Sequence, residues 1–150
     1  MNAAAFKAES PLRVLLVEDD PLHAELTTAA LDRASIPPAV TVASDGEAAM
    51  TYLRTTKDRG LQAELVLLDL RLPGLSGHEV LEEIKQDDAL RRIPVVVLTS
   101  STRDEDVAMA YEAGANAYVA KPDDFFGLAK VVESICDFWG RTAQRQLRRG

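Results

Sequence analysis

Cysteine, histidine and aromatic residues are scarce in this sequence, and their scarcity excludes several classes of protein. One cysteine among 150 residues cannot form an internal disulfide framework or a cysteine-rich zinc site, and it fits a reducing cytoplasm. No apolar run approaches the ~20 residues that a membrane-spanning helix needs, so an integral membrane protein is excluded. The first ten residues contain no basic stretch followed by an apolar core, and we therefore expect no signal peptide.

The few residues of these rare types are expected to be structural. His23 and His78 fall on predicted helices without paired ligands, and we predict that both are solvated. Cys136 lies one position away from the apolar stripe of the last predicted helix and is expected to be a buried or half-buried thiol.

Asp20 and Asp45 precede predicted helices and are interpreted as helix caps.

Basic residues are outnumbered, with 17 Lys and Arg against 24 Asp and Glu. Residues 141–150 hold four arginines and no acid, which leaves 13 basic and 24 acidic side chains, a formal charge of −11, in residues 1–140. A body this acidic repels phosphate backbones, so nucleic acid is not an expected partner. We interpret the tail as a solvated extension of the last helix, with contact to an acidic partner as the alternative. Its arginines are Arg141, Arg145, Arg148 and Arg149.

Apolar runs alternate with helical patterns along the whole chain. The runs at residues 12–18, 39–44, 65–69, 93–100 and 117–121 have the length and β-branched content of buried strands. Five β–α units of this kind predict an α/β fold, a five-stranded parallel sheet flanked by five helices. We therefore expect a flexible segment at residues 1–11, one domain at 12–140 and a basic tail at 141–150. The first helix is predicted from Pro21 to about Ala34, where residues recur at intervals of three and four, namely Leu22, Leu26, Ala29, Ala30 and Arg33.

The residues that follow the predicted strands share one kind of chemistry. In open parallel sheets ligands bind beyond the carboxyl ends of the strands, so these residues are expected to converge. Crowded carboxylates repel unless a cation intervenes, and oxygen ligands favour Mg²⁺, with Mn²⁺ as the alternative ion. A carboxylate can form an aspartyl-phosphate while Lys and Thr stabilise the phosphoryl charge, which predicts phosphoryl transfer onto an aspartate. The residues are Glu18, Asp19, Asp69, Thr99 and Lys121.

This ordered set, Glu18-Asp19, Asp69, Thr99 and Lys121-Pro122, resembles the receiver domain of two-component response regulators over residues 12–139. The resemblance implies the flavodoxin-like (βα)5 receiver fold. It also implies that Asp69 accepts a phosphoryl group from the phosphohistidine of a sensor histidine kinase. Asp19, Asp69 and the backbone carbonyl of Arg71 would bind Mg²⁺, and Glu18 would contact the ion through water.

The same resemblance assigns roles to the residues around Asp69. Thr99 and Lys121 would bind the phosphoryl oxygens. Tyr118 matches the aromatic switch position, whose ring turns inward on activation, and an ordinary core aromatic is the alternative. The bond before Pro122 is expected to be cis, and the Arg71 and Ser101 side chains occupy positions that tune dephosphorylation.

A finer resemblance concerns the end of the chain. The extra residues before the third strand, the run IPVVVLTSS followed by DEDV, and Phe138-Trp139 are similar to stand-alone regulators that partner bacterial phytochrome-type histidine kinases. Such regulators imply a cytoplasmic homodimer formed through the face of the fourth helix, fifth strand and fifth helix. Phe138 and Trp139 either pack under the last helix or belong to an exposed interface.

Three other functions are alternatives to phosphoryl transfer onto Asp69. A receiver-like interaction module would bind partners without being phosphorylated. A haloacid-dehalogenase-like phosphatase expects a second acid two residues after the nucleophile, where this chain has Arg71. A flavodoxin-like cofactor binder expects a phosphate loop after the first strand, where Glu18, Asp19 and Asp20 would repel a flavin phosphate. The preferred interpretation is a signalling phosphoacceptor and not an enzyme. The sequence does not specify the cognate kinase, the downstream output or the lifetime of the phosphate.

Overall fold

The computed structural model describes residues 11–57 and 59–143, in which strands and helices alternate as expected. The predicted flexible segment, apart from Pro11, and the arginines Arg145, Arg148 and Arg149 lie outside the described residues. In chain order the elements are β1 (Arg13–Val17), α1 (Pro21–Leu31), β2 (Ala39–Ala43), α2 (Gly46–Thr56), β3 (Leu65–Leu68), α3 (Gly77–Gln86), β4 (Val95–Thr99), α4 (Asp104–Glu112), β5 (Ala117–Ala120), α5 (Phe125–Asp137) and a π-helical turn (Phe138–Thr142).

The five strands form one parallel sheet in the order β2-β1-β3-β4-β5. The strand order reverses beside β1, because the chain places β2 on one side of it and β3 on the other. The register pairs Val17 with Leu68, so the next residues along these strands, Glu18 and Asp69, emerge side by side. This fold confirms the predicted α/β class, and the reversal marks the edge where open parallel sheets bind ligands.

Helices cover both faces of the sheet and create two apolar clusters. One cluster packs α2, α3 and α4 against one face, and fully buried Val80, Leu81 and Ile84 anchor α3 in it. The other packs α1 and α5 against the opposite face, with Leu128 and Val132 of α5 buried in it. Because β1, β3 and β4 lie inside the sheet with helices on both sides, their residues are almost all buried.

The predicted helix α1 is confirmed, and it ends at Leu31, three residues before the predicted end at about Ala34. Its leucines differ in their surroundings, since Leu22 is 60% exposed and Leu26 is 37% exposed, whereas Leu31 is fully buried. The buried residues of this helix are Ala24, Thr27, Ala30 and Leu31.

The caps of α1 and α2 are the two that the sequence predicts. Asp20 Oδ1 accepts hydrogen bonds from the backbone N–H of Leu22 at 2.9 Å and of His23 at 3.4 Å. Asp45 caps α2 in the same way through Ala48, at 2.7 Å. These side chains satisfy N–H groups that have no partner inside their helices.

Among residues 11–57 and 59–143, no helix has the length and apolarity required to cross a membrane.

Candidate functional site

The carboxylate of Asp69 stands at the carboxyl edge of the sheet, directly after β3. Its Oδ1 accepts hydrogen bonds from the Thr99 hydroxyl at 3.2 Å and from the backbone N–H of Arg71 at 3.0 Å. Its Oδ2 lies 3.4 Å from Lys121 Nζ. The side chain is 12% exposed, so it is reachable from solvent and yet held by three groups. The structure therefore brings together residues 30 and 52 positions apart in the sequence.

Glu18 and Lys121 form a buried ion pair beside Asp69. Lys121 Nζ donates to Glu18 Oε1 at 2.7 Å, and the side chains are 10% and 3% exposed, respectively. Glu18 Oε2 accepts from the backbone N–H of Asp20 at 3.2 Å. Burial raises the pKa of Glu18 from its ordinary value, and the hydrogen bond and charge of Lys121 offset part of this rise. Lys121 thus neutralises one buried carboxylate and keeps its ammonium within reach of Asp69.

The donor set at this edge suits a hard divalent cation. Glu18, Asp19 and Asp69 contribute three carboxylates against the single ammonium of Lys121, which leaves a formal charge of −2 when all are ionised. Asp19 is exposed, whereas both Glu18 oxygens are already engaged by hydrogen bonds. Within the described residues no group of three or more His, Cys, Asp or Glu side chains is arranged to hold a metal. A site with two carboxylates, a carbonyl and water is the kind that Mg²⁺ accepts.

A second set of contacts begins at Thr99 and extends to Tyr118. Thr99 is fully buried at the end of β4, and Ser101, two residues later, is 5% exposed. The Tyr118 hydroxyl donates to the backbone carbonyl of Ser101 at 2.9 Å, so the tyrosine ring is turned inward. Burial raises the pKa of the Tyr118 phenol from its ordinary value. The aromatic residue of β5 is therefore hydrogen-bonded to the loop that follows the Thr99 strand.

The two side chains assigned to dephosphorylation differ in their surroundings. The Arg71 side chain is exposed. Its positive charge lowers the pKa of Tyr118 and so offsets part of the rise that burial causes. Ser101 donates its hydroxyl to Asp106 Oδ2 at 2.6 Å, in the first turn of α4. Asp106 is not among the residues predicted from the sequence, although an acid five residues after Ser101, in the first turn of a helix, is a signal for such a contact.

The expected cis bond before Pro122 is wrong, since the described residues contain no cis peptide bond. Trans is the intrinsically preferred isomer of a bond to proline by about 0.5–1 kcal/mol. The backbone N–H of the preceding Lys121 donates to the Thr99 carbonyl at 2.7 Å, so the chain leaves β5 still hydrogen-bonded to β4.

The prediction that His78 is solvated is also wrong. Its side chain is only 18% exposed, and both ring nitrogens are buried without a hydrogen-bond partner in the described part of the chain. Nε2 lies 3.6 Å from Asp106 Oδ1, which is an ion-pair distance and longer than a hydrogen bond. Burial arises because α4 packs beside α3, which local sequence does not reveal. His23 is exposed, with 48% of its side chain accessible, as predicted.

The two terminal aromatics divide between the two predicted environments. Trp139 is half-buried and packs against the cluster beneath α1 and α5. Phe138 is 49% exposed and meets the Trp139 ring edge-to-face at 5.0 Å. Cys136 is buried at 3% exposure, which confirms its predicted environment.

Comparison with known proteins gives a consistent result over nearly the whole chain. Residues 14–133 match the family described as the response regulator receiver domain. The chain is 46% identical over 134 residues to the probable methanogenesis regulatory protein FilR2 of Methanothrix harundinacea, a match that covers 89% of this chain and 86% of that protein. It is 39% identical over 138 residues to the response regulator Rcp1 of Synechocystis, covering 91% and 94% of the two chains.

Solved structures are similar over the same range. The phosphorylated cyanobacterial phytochrome response regulator RcpA superposes with a TM-score of 0.85 at 37% identity, covering 92% of this chain and all of that chain. The Mn²⁺-bound form of Rcp1 superposes with a TM-score of 0.81 at 39% identity, covering 91% of this chain and all of that chain. One of these relatives thus carries a phosphate and the other a divalent metal.

Proposed function

The chain belongs to the family of response regulator receiver domains, and on this basis we propose that it accepts a phosphoryl group on Asp69 from a sensor histidine kinase. The observation that carries the proposal is the convergence of Thr99 Oγ1 and Lys121 Nζ on the two oxygens of one carboxylate that is only 12% exposed. A mere helix cap would not require a buried hydroxyl and a buried ammonium from two other strands. The same convergence disfavours an interaction module that functions without phosphorylation.

In the proposed reaction, a carboxylate oxygen of Asp69 attacks the phosphorus of a phosphohistidine. The new O–P bond forms as the N–P bond breaks, and the histidine nitrogen keeps the bonding electron pair and takes up a proton. Asp69 Oδ2 is the candidate nucleophile, because its contact with Lys121 at 3.4 Å is the longest that the carboxylate makes. After transfer, the Thr99 hydroxyl and the Lys121 ammonium would donate to phosphoryl oxygens.

Mg²⁺ is the proposed cofactor, with Mn²⁺ as the alternative ion. Asp19, Asp69 and the Arg71 carbonyl would hold the ion, and Glu18 would contact it through water. When bound, the ion would neutralise negative charge on the phosphoryl oxygens. The chain's own contribution is the excess of acidic groups over Lys121, which favours a divalent cation before any phosphate arrives.

We also propose a cognate kinase of the phytochrome type and a homodimer formed by α4, β5 and α5. The kinase assignment rests on similarity to the cyanobacterial phytochrome response regulator RcpA, which is 37% identical to this chain. The dimer proposal rests on apolar side chains that these elements expose, namely Met109 and Tyr111 at 51% and Phe126 at 71%. Phosphorylation would shift this face between two arrangements through Thr99 and Tyr118.

Incubation with Mg²⁺ and acetyl phosphate tests the central assignment. Wild-type protein is expected to gain one acid-stable, base-labile phosphate per chain, measured by intact-protein mass spectrometry. Asp69→Asn should gain none, because an amide oxygen is a poor nucleophile. Asp88→Asn is the matched control, since its side chain is 97% exposed, and it should be labelled like wild type.

Equal labelling of Asp69→Asn and wild type would refute Asp69 as the phosphoacceptor. Absence of label from wild type, with metal and donor both present, would instead favour the interaction module. Omitting Mg²⁺ and adding a chelator should abolish labelling, and restoring Mg²⁺ or Mn²⁺ should recover it.

A further inference from the structure

Asp106 lies where three elements meet, on the face of the molecule that carries Tyr118. It occupies the first turn of α4, and its Oδ2 accepts the Ser101 hydroxyl at 2.6 Å. Its Oδ1 faces His78 Nε2 of α3 at 3.6 Å. The carboxylate is thus held between the loop that follows β4 and the neighbouring helix.

The contact between Asp106 and Ser101 affects more than the serine side chain. The backbone carbonyl of Ser101 is the acceptor for the Tyr118 hydroxyl, at 2.9 Å. The Ser101 hydroxyl oxygen also accepts from the backbone N–H of Arg103 at 3.4 Å, which closes the loop on itself. A change in the Ser101 side chain would therefore reorient the carbonyl that holds the tyrosine ring inward.

We propose that Asp106 is a positioning residue that holds Ser101 so that its carbonyl receives the Tyr118 hydroxyl and stabilises the inward ring. The proposal rests on the proposed function, because it concerns how the Tyr118 switch of that site is set. In this arrangement α4 is connected to Tyr118 of β5 through Ser101 before any phosphate is present.

Burial and charge both support this role. Ser101 is 5% exposed, so its hydroxyl needs a partner inside the protein. The hydrogen bond from Ser101 lowers the pKa of Asp106 from its ordinary value, so the acceptor is an ionised carboxylate at neutral pH. Only Ala110 of the nine residues of α4 is buried, so the hydrogen bond between Ser101 and Asp106 adds a polar contact to a small apolar one.

Two simpler explanations of Asp106 can be separated from positioning. The first is that its charge merely complements the amino end of α4, where Asp104 and Glu105 are also acidic. Asp104→Ala removes a similar charge from the same turn and is the control for it. The second is that the negative charge of Asp106, and not its hydrogen bond with Ser101, keeps the Tyr118 ring inward. Asp106→Asn controls for this, because it removes the charge and keeps an acceptor oxygen for Ser101.

The test uses unphosphorylated full-length protein labelled with 3-fluorotyrosine, with the Tyr118 fluorine resonance assigned by Tyr118→Phe. The solvent isotope shift between H₂O and D₂O reports how exposed the ring is. Wild type, Asp104→Ala and Asp106→Asn should show the small shift of a shielded ring. Asp106→Ala and Ser101→Ala should both move toward the value of free fluorotyrosine, and the double variant should move no further than either single variant.

A second readout follows the rate of Asp69 labelling by acetyl phosphate and Mg²⁺. Loss of one net hydrogen bond lowers the ratio of inward to outward Tyr118 rings by about fivefold. Asp106→Ala and Ser101→Ala should therefore be labelled on Asp69 up to about fivefold more slowly than wild type. Because the fluorine measurement needs no phosphate, failure of the proposed phosphorylation leaves this test intact.

Three outcomes would overturn the positioning role. They are an unchanged Tyr118 resonance in Asp106→Ala, an unchanged resonance in Ser101→Ala, and an equal change in Asp104→Ala. Thermal unfolding followed by circular dichroism shows which variants are folded. If Asp106→Ala does not fold, Ser101→Ala alone decides the outcome, since it breaks the same hydrogen bond and keeps the Asp106 charge.

Discussion

At the scale of single residues, the Glu18–Lys121 pair sets the charge of the site. The two side chains come from opposite ends of the chain, 103 positions apart, and both are buried. Taking two charges out of water is costly, and their attraction repays the cost only when the geometry is good. At 2.7 Å the contact is a charge-assisted hydrogen bond, so each side chain depends on the other. This dependence keeps the ammonium at a fixed place beside Asp69.

Replacing Lys121 by methionine should therefore destabilise the fold as well as the proposed phosphoryl site. Glu18 would be left buried without its cation, and the free energy of unfolding should fall by about 3–5 kcal/mol in urea denaturation. Lys130→Met on the exposed side of α5 is the control and should change stability little. Adding Glu18→Gln to Lys121→Met should recover much of the loss, since no unpaired charge then remains. An equal loss in the two lysine variants would contradict this account of the pair.

At the scale of elements, the first residues of α3 pack closely against the backbone that follows β3. The backbone N–H of Gly77 donates to the Leu70 carbonyl at 3.1 Å. A Cβ at Gly77 would lie 2.5 Å from the Leu70 Cα and would also meet the Asp69 carbonyl oxygen. The neighbouring atoms are backbone and cannot move aside as a flexible side chain could. Ser76, which caps this helix, and Gly77 together fix α3 at the residue that would carry the phosphate.

Gly77→Ala should consequently lower stability, despite the better intrinsic helix propensity of alanine. Overpacking of this kind costs about 1–3 kcal/mol, which should appear as a lower midpoint of thermal unfolding. The matched control is Gly140→Ala, where the nearest atom to the new Cβ would be Leu12 Cβ at 3.7 Å, an ordinary contact. Gly140→Ala should therefore unfold close to wild type. If Gly77→Ala were as stable as this control, the close approach of α3 to β3 would be wrong.

The buried strands could be predicted from sequence, because their own residues are apolar. Burial that depends on how one helix packs against another could not be predicted. The strands β1, β3 and β4 are continuous apolar runs, and their order brings Glu18, Asp69 and Thr99 to one edge. Spacing predicted the helix α1 but not which of its leucines face the core, since Leu22 is 60% exposed and Leu31 is fully buried. The burial of His78 depends on how α4 docks beside α3, which is a non-local event that no local pattern encodes.

At the scale of the whole molecule, exposed apolar side chains are unevenly distributed between the two edges of the sheet. The β5 edge is flanked by Met109 and Tyr111 of α4 and by Phe126 of α5, all more than half exposed. The β2 edge strand exposes Val42 at 46%, and α1, which leads into it, exposes the smaller side chains of Leu22 at 60% and Leu26 at 37%. Net charge of −7 disfavours association by self-repulsion, so a dimer needs apolar contact to offset it. The β5 side offers more of that contact, which is why the proposed dimer is placed there.

Met109→Glu should therefore weaken self-association, because it would bury a new carboxylate and remove apolar area at the proposed interface. We expect the dimer dissociation constant to rise at least about tenfold, which corresponds to about 1.4 kcal/mol, in sedimentation velocity experiments. Val42→Glu places the same charge on the opposite edge strand and should leave the constant near the wild-type value. Weakening by Val42→Glu and not by Met109→Glu would move the interface to the β2 edge, and a monomeric wild type at all concentrations would exclude the dimer. The same series measured after Asp69 labelling should show a tighter dimer in wild type, since phosphorylation is proposed to act on α4.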